Sequence, residues 1–553
     1  MSKKASFSSK PSSQQFFGKT ITSPFTIPSG IVSTATSIIQ HIFDTIPEVG
    51  VLTTKSVGLE PRAGYREPVI SQYAPGCFVN AVGLTNPGAK QLAESLATLN
   101  VPEDRFLLTS IFGGSVEEFV EVAKILAPVS DGLELNLSCP HAKGYGMAMG
   151  QDPGLVKEIT AAVKAVVDIP VILKLTPNTD NISEIAKAAI EAGADGLCAI
   201  NTLGPGYTSA HGHPVLSNGS GGMSGKGVLP IGLKCVREIA AAVDCPIIGC
   251  GGASSADDVR AYADAGADIV GIGSALIGLT TDEMRDYFQT LQRDIEYQKN
   301  QAENLIRYDV DMQFRPVTLV TNERVTDDIC ILTFDRKVNV QAGEFIFLWI
   351  PGLGEKPFSA LTDDPFSLVV IDVGIFTHHL MTMVPGTEAY VRGPHGIPVA
   401  PHDGAKIMAV SGGTGLAAVY QIARDFENTE VFTGARSRDR LYFLDECKKI
   451  ADVHVATDDG SEGYQGFVTD MLRERLQGLS PAELDNVVFY NCGPEPMVHA
   501  AIAVEREFCR DEQIFSAIDY LTKCGIGLCG ACATPDGRRL CVDGPFLEAS
   551  DSL

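Results

Sequence analysis

Residues 246–277 read PIIGCGGASSADDVRAYADAGADIVGIGSALI. A short apolar run, Pro246–Cys250, meets a Gly-Gly-Ala turn. A helical stretch, DVRAYADAGA, follows, and a second apolar run, Ile269–Ile272, ends in Gly-Ser-Ala. Strand, glycine turn, helix and strand make the repeating unit of an α/β fold. Toward the N-terminus the unit recurs, with candidate strands Phe25–Gly30, Val51–Lys55, Phe106–Ile111, Gly132–Leu137, Val171–Leu175 and Leu197–Asn201. Helical patterns such as VEEFVEVAKILA and ISEIAKAAIEAGA lie between them. Eight such units predict a closed (β/α)8 barrel over residues 21–300 rather than an open sheet.

At 553 residues the chain must hold more than one domain. A net charge of −25 repels phosphate backbones, so nucleic acid is excluded as a partner. No apolar run approaches the length of a membrane span, and no membrane association is expected. Residues 1–20, MSKKASFSSKPSSQQFFGKT, are rich in Ser and Lys with no acid. They read as a flexible tail; a transit peptide would carry Arg. A cytoplasmic setting follows, with free thiols rather than disulfides.

The C-terminal run 523–541, KCGIGLCGACATPDGRRLC, holds Cys524, Cys529, Cys532 and Cys541. Cys-x4-Cys-x2-Cys with a fourth Cys soon after is the plant-ferredoxin spacing for a [2Fe–2S] cluster. Gly525, Gly527 and Gly530 would let the backbone fold close to the sulfides. Structural zinc is the alternative, but zinc usually takes two well-separated pairs, whereas three thiols are crowded here. A cluster moves single electrons, so the chain must supply a donor and an acceptor.

In a (β/α)8 barrel the chemistry sits where strands end. The strand ends here are polar: Ser29-Gly30, Lys55-Ser56, Ser110, Asn136 to Cys139, Lys174, Asn201-Thr202, Gly251-Gly252 and Gly273-Ser274. One lysine alone would be a solvated charge. Two lysines and two asparagines at one rim suit a planar anionic substrate and an electron-rich cofactor ring. The glycine-rich ends of strands seven and eight form the usual barrel phosphate site, which beside an electron carrier suggests FMN. A lone Cys is more often a small buried hydrophobe. Cys139 instead opens a loop beside polar neighbours, where a thiol of lowered pKa could act as a general base.

Across the barrel the chain resembles the catalytic subunit of class IB, NAD-linked dihydroorotate dehydrogenase. The matching stretches are TKSVGLEPRAGYREP, NAVGLTNPG, ELNLSCPHAKGYG, VILKLTPN, INTLGPG, PVLSNGSGGMSGKG, IIGCGGASSADD and GIGSALI. The resemblance implies an FMN enzyme oxidising dihydroorotate to orotate, with Cys139 as base. It implies that Lys55, Asn80, Gly83, Leu84, Asn136, Asn201 and Thr202 hold the substrate. Lys174 would stand by the flavin N1–O2 edge, and Gly30, Ser56, Gly225, Gly251, Gly252, Gly273 and Ser274 would contact FMN. The chain departs from the pattern at three places: His141 and Ser110 where many relatives have Asn, and Lys226 where many have Pro. A dihydropyrimidine dehydrogenase-like barrel, and an NAD(P)H-linked reductase with a barrel that does not turn over, are the alternative readings.

Asp282 to Tyr308 predicts a long polar helix, with Tyr287, Leu291 and Ile295 on one stripe. Short alternating runs follow, VTLVTNERV, CILTFDRKV and EFIFLWI, which predict a small antiparallel barrel. The strand KIMAVS then leads into Gly412-Gly413-Thr414-Gly415, a turn that can bring backbone N–H groups to a phosphate. From about Phe314 onward the chain resembles the electron-transfer subunit of the same dehydrogenase, within the ferredoxin-reductase superfamily. That resemblance implies FAD at Pro357, Phe358, Ser359, Gly374 and Thr377. It places the pyridine nucleotide at Gly412, Gly413 and Gly415 and the cluster on the four cysteines. His378 and His379 are adjacent and face different ways on a helix, so they are not a metal pair. The expected segments are a linker at 301–313, an FAD-binding β-barrel at 314–403, an NAD-binding α/β domain at 404–510 and a cluster segment at 511–553. The implied path runs from dihydroorotate to FMN, [2Fe–2S], FAD and NAD, in a chain expected to pair as a homodimer through its barrel. Arg436 and Arg438 leave the choice between NAD and NADP open.

Overall fold

The computed structural model describes residues 14–137, 147–308, 310–518 and 520–550. They form two units. One runs to Val310 and takes in Ile526–Ala533; the other comprises Asp311–Gly525 and Thr534 onward.

In the first unit the eight apolar runs are parallel strands: β1 (Phe25–Ile27), β2 (Val51–Thr53), β3 (Phe106–Ile111), β4 (Gly132–Asn136), β5 (Val171–Leu175), β6 (Gly196–Ala199), β7 (Ile247–Cys250) and β8 (Ile269–Gly271). They close in the order β6-β7-β8-β1-β2-β3-β4-β5. Their residues are almost uniformly buried, because helices cover one face and the barrel interior the other. Period-two alternation then sorts each strand. Leu107, Leu133, Leu173, Ile247 and Val270 point outward against the helices' Phe119, Val156, Ile185, Val236 and Val259. Phe106, Leu108, Ile172, Cys198, Ile248 and Ile269 point inward with Phe16 of an N-terminal hairpin. Helix starts are fixed locally. Ser255 accepts from Asp258 N in a capping box, and Gly266 ends the same helix at φ +111°.

Two features differ from the expectations. The helix that follows β8 runs Thr281–Tyr297, not to Tyr308, and Gln298 leaves it at φ +55°. The buried carboxylate of Asp294 accepts the Ala302 N–H at 2.7 Å and turns the chain into a 3₁₀ segment, Ala302–Leu305. A four-stranded antiparallel sheet, Leu203–Gly206, Gly221–Gly225, Cys77–Asn80 and Ile70–Ala74 in that order, was not predicted.

The second unit holds two sheets. The region expected to form a small barrel is a seven-stranded antiparallel sheet. Its strands are β9 (Arg315–Arg324), β10 (Ile329–Phe334), β11 (Phe345–Ile350), β12 (Gly354–Phe358), β13 (Ala360–Asp363), β14 (Phe366–Ile371) and β15 (Glu388–His395), in the order β12-β11-β15-β9-β10-β14-β13. The other sheet comprises β16 (Lys406–Gly412), β17 (Thr429–Ala435), β18 (Asp452–Thr457), β19 (Tyr464–Gln465), β20 (Val487–Cys492), β21 (Ile514–Ala517) and β22 (Leu547–Glu548). Its order is β19-β18-β17-β16-β20-β21-β22, parallel except for β22. Among the described residues all cysteines are free thiols, and no helix is long and apolar enough to cross a membrane.

Candidate active site

Inside the barrel the lining changes character along the strands. Below lies the apolar layer of Phe106, Leu108, Ile172, Ile248 and Ile269; two residues on, the same faces carry Ser110, Glu134, Lys174 and Cys250. Lys174 Nζ stands 3.6 Å from Glu134 Oε1, both nearly sealed from solvent. Burial would lower the Lys174 pKa, but the Glu134 carboxylate, helped by Cys198 and Cys250, holds it above the ordinary lysine range. The side chain is therefore a fixed cation in the barrel. Glu134 was missed as a site residue, although an acid inside the apolar strand GLELN is itself a signal.

From Glu134 a chain of hydroxyls leads to the mouth. Ser110 donates to Glu134 at 2.8 Å, Ser56 meets Ser110 at 2.8 Å, and Ser29 meets Ser56 at 3.0 Å. Asn136 Nδ2 donates to Ser56 Oγ at 3.0 Å and Asn201 Nδ2 to Asn136 Oδ1 at 3.2 Å, while Asn201 Oδ1 accepts from Thr202 N at 2.8 Å. Thus Ser56, Asn136, Asn201 and Thr202, taken from β2, β4 and β6 ends, form one network. Lys55 borders Gly30: a Cβ there would lie 3.2 Å from Lys55 Nζ. The unpredicted sheet brings in more. Asn80 pairs with Gly222 in register, and a Cβ on Gly222 would strike Thr202 Oγ1 at 2.1 Å. Gly83 and Leu84 both take positive φ, +81° and +57°. Cys139 and His141 lie outside the described residues.

Where the C-terminal end of β7 meets the strand Gly221–Gly225 the backbone is too crowded for side chains. A Cβ on Gly252 would sit 2.6 Å from Gly225 O, and one on Gly225 2.0 Å from Gly76 O. Beside them Gly252, Ser254 and Ser274 line a small, partly open pocket with Lys226 and Tyr308. Bare backbone, hydroxyls and a cation fit a phosphate. Gly251 accepts a hydrogen bond from Tyr262 through its carbonyl, and Gly273 packs near Pro28.

In the second unit, Pro357 and Phe358 lie on β12 opposite Phe347 and Ile346 of β11, with Ser359 next in the chain. Thr377 Oγ1 accepts from Val373 N and Gly374 N at 2.9 and 3.0 Å, leaving Gly374 open to solvent on its Cβ side. His378 pairs with Asp372 at 2.8 Å. The strand order reverses at β16: its chain successor β17 lies to one side and β20 to the other, which makes the crevice beyond these ends a topological switch point. Gly412 and Gly415 close it. A Cβ on Gly415 would lie 1.9 Å from Cys492 O, whereas Gly413, at φ +55°, faces open space. The arrangement fits a nucleotide at the start of the helix Leu416–Asp425.

Cys529 and Cys532 belong to the segment grouped with the barrel, Cys524 and Cys541 to the second unit. Within the barrel unit Thr34 Oγ1 donates to Cys529 O at 2.6 Å. Within the second unit Arg392 Nη1 donates to Cys524 O at 3.1 Å. Gly525, Gly527 and Gly530 take φ of +76°, +72° and +66°. All four cysteines are free thiols, and thiolates are the ligands that a [2Fe–2S] cluster takes.

Comparisons with known proteins match three stretches of the chain. The family model described as "Dihydroorotate dehydrogenase" matches residues 12–294, "Oxidoreductase NAD-binding domain" matches 409–502, and "Iron-sulfur cluster binding domain of dihydroorotate dehydrogenase B" matches 521–551. Three relatives carry the name "Dihydroorotate dehydrogenase B (NAD(+)), catalytic subunit". That of Pyrococcus furiosus is 43% identical over 263 residues, 47% of this chain and 86% of the relative. That of Methanocaldococcus jannaschii is 43% identical over 257 residues, 46% and 83%. That of Methanosarcina mazei is 46% identical over 229 residues, 41% and 73%. The first match spans the whole barrel with its polar upper layer, and so the chain belongs to the dihydroorotate dehydrogenase family, with an NAD-binding oxidoreductase domain and an iron–sulfur domain of the B type in the same polypeptide.

Proposed function

We propose that the chain oxidises dihydroorotate to orotate and delivers the electrons to NAD+. The observation that carries this reading is the network of Ser56, Asn136 and Asn201 at the barrel mouth, above a charged Lys174. Amide and ammonium donors gathered over one rim match a planar carboxylate-bearing ring. When bound, FMN supplies a two-electron acceptor, the [2Fe–2S] cluster single-electron carriage, and FAD the return to two-electron chemistry with NAD.

The chain's own residues do the rest. Lys55, Asn80, Asn136, Asn201 and Thr202 donate to the substrate's carboxylate and carbonyl oxygens, and Gly83 with Leu84 bounds it through backbone. Cys139, three residues after Asn136, takes the C5 proton. Lys174 would set a positive charge beside the flavin ring, and Glu134 helps to keep it protonated. Gly30 and Ser56 would flank the FMN ring. Gly225, Gly251, Gly252, Gly273 and Ser274 would hold its phosphate end. Pro357, Phe358, Ser359, Gly374 and Thr377 would hold FAD, and Gly412, Gly413 and Gly415 the nicotinamide nucleotide. Cys524, Cys529, Cys532 and Cys541 would bind the cluster. Pairing of two chains through their barrels and a cytoplasmic setting are part of this proposal and rest on the likeness to the relatives.

Anaerobic addition of substrate to the purified chain tests the reading. Dihydroorotate should bleach the flavin absorbance and dihydrouracil should not. Bleaching by dihydrouracil alone would refute the assignment and transfer the barrel to dihydropyrimidine chemistry.

A further inference from the structure

The barrel's family match ends at residue 294, yet the chain beyond it returns to the barrel. After the turn at Gln298, Ile306, Arg307 and Tyr308 line the same cavity as Gly252 and Ser274. Tyr308 is held at several points. Its carbonyl accepts from Gly76 N at 3.2 Å and Gln72 Nε2 at 2.9 Å. Its hydroxyl meets Ser254 Oγ at 3.3 Å and donates to Glu303 at 3.4 Å. Its ring fills the space over Gly76, where a Cβ would collide at 2.4 Å. Arg307 reaches the cavity while pairing with Glu283. Opposite stands Lys226, donating to Ser254 Oγ at 3.0 Å, Asp258 at 2.9 Å and Glu303 at 3.5 Å.

These partners make Lys226 exchangeable. Asp258 Oδ2 also accepts from Ser254 N, Ser254 Oγ and Ser255 N at 3.0, 3.0 and 3.1 Å, and Glu303 also accepts from Asn300 Nδ2 at 3.2 Å. Neither carboxylate is stranded if the ammonium turns away. A phosphomonoester dianion seated on the N–H groups near Gly252 and Ser274 would offer Lys226 a stronger partner than either singly charged acid.

We propose that the post-barrel segment 302–308 completes the flavin-phosphate pocket of the barrel, and that Lys226 is its exchangeable cation, turning from Asp258 and Glu303 to the phosphate. This rests on the FMN reading of the barrel. It adds that the polypeptide leading into the second half itself takes part in retaining the cofactor.

The test uses the full-length chain, with released FMN and FAD separated chromatographically and FMN dissociation followed by fluorescence on dilution. Lys226→Met should release FMN at least tenfold faster than the parent, and Tyr308→Phe, which keeps the ring and the backbone bonds, about threefold faster. Lys226→Arg should retain FMN. Riboflavin, which lacks the phosphate, should bind the deflavinated parent and the Lys226→Met chain equally, and inorganic phosphate should compete only with FMN. Unchanged FMN release in Lys226→Met overturns the proposal. So does equal weakening of FMN and riboflavin, or loss in Lys226→Arg as large as in Lys226→Met, since packing rather than charge would then be at work. A parent chain that purifies without FMN would refute the FMN reading itself, a separate result.

Discussion

Arg392 offers the sharpest test of how the second unit is held together. Its guanidinium is completely buried on β15 and makes a two-pronged pair with the equally buried Glu355 of β12, at 3.1 and 2.8 Å. The remaining nitrogen reaches Cys524 O at 3.1 Å and His395 Nε2 at 3.0 Å, and the guanidinium carbon lies 4.0 Å over the Phe347 ring. Burial and the Arg392 charge push the His395 pKa well below its usual value, so the imidazole accepts rather than competes. Replacing Arg392 by Met takes the charged partner from a buried carboxylate, and breaking such a pair from one side costs about 3–5 kcal/mol. Removing the acid as well, Arg392→Met with Glu355→Leu, deletes that buried charge. What remains is the loss of the contacts to Cys524 O and His395 Nε2, about 1–3 kcal/mol. Trp349 on β11 is the one tryptophan of the chain and is buried, so its fluorescence during urea unfolding reports on this unit alone. The single variant should lose about 4 kcal/mol and the double variant about half of that. A single variant within about 1 kcal/mol of the parent, or a double variant as unstable as the single one, would refute the account of the pair.

Two further changes probe other parts of the chain. Cys529→Ser should still show flavin bleaching by dihydroorotate but lose NAD+ reduction; normal NAD+ reduction would remove the cluster from the electron path. Glu505, fully buried beside Asn491 at 2.8 Å, has its pKa pushed up to about 8 by burial, from 4.5. Between those values the folded chain holds a proton that the unfolded chain has released, so stability falls as pH rises, by up to about 1.4 kcal/mol per pH unit. Glu505→Gln should therefore gain clearly more urea resistance over the parent at pH 8.5 than at pH 5.5; an equal gain at both would sink the idea.

The parts of this molecule that could be read in the sequence share one property: their signal is local. The barrel strands are runs buried on both faces, so each stands out between its helices without knowledge of its neighbours. The strand-end lysine, asparagines and glycines are legible for the same reason, since position at a strand end already implies a place at the barrel mouth. The sheet of residues 70–80 and 203–225 was hidden because its strands are short and punctuated by Gly and Pro, and one of its pairings joins segments some 140 residues apart in sequence.

Partnership is what a single sequence does not display. Glu134 reads as an acid in an apolar strand, but only the β4–β5 register, Asn136 beside Lys174, turns it into the counter-charge of Lys174. Lys226 reads as a departure from the family pattern, and its meaning comes from Asp258, Glu303 and Tyr308, which approach from two later segments. Arg392 and Glu355 are separated by strands that become neighbours only in the folded sheet. In each case the fold brings a charge out of water, and the cost of that burial demands a specific partner. A charged residue inside a strand otherwise apolar is thus the trace that partnership leaves in sequence. Glu134 in GLELN, Lys174 in VILKL and Arg392 in AYVRG all carry it.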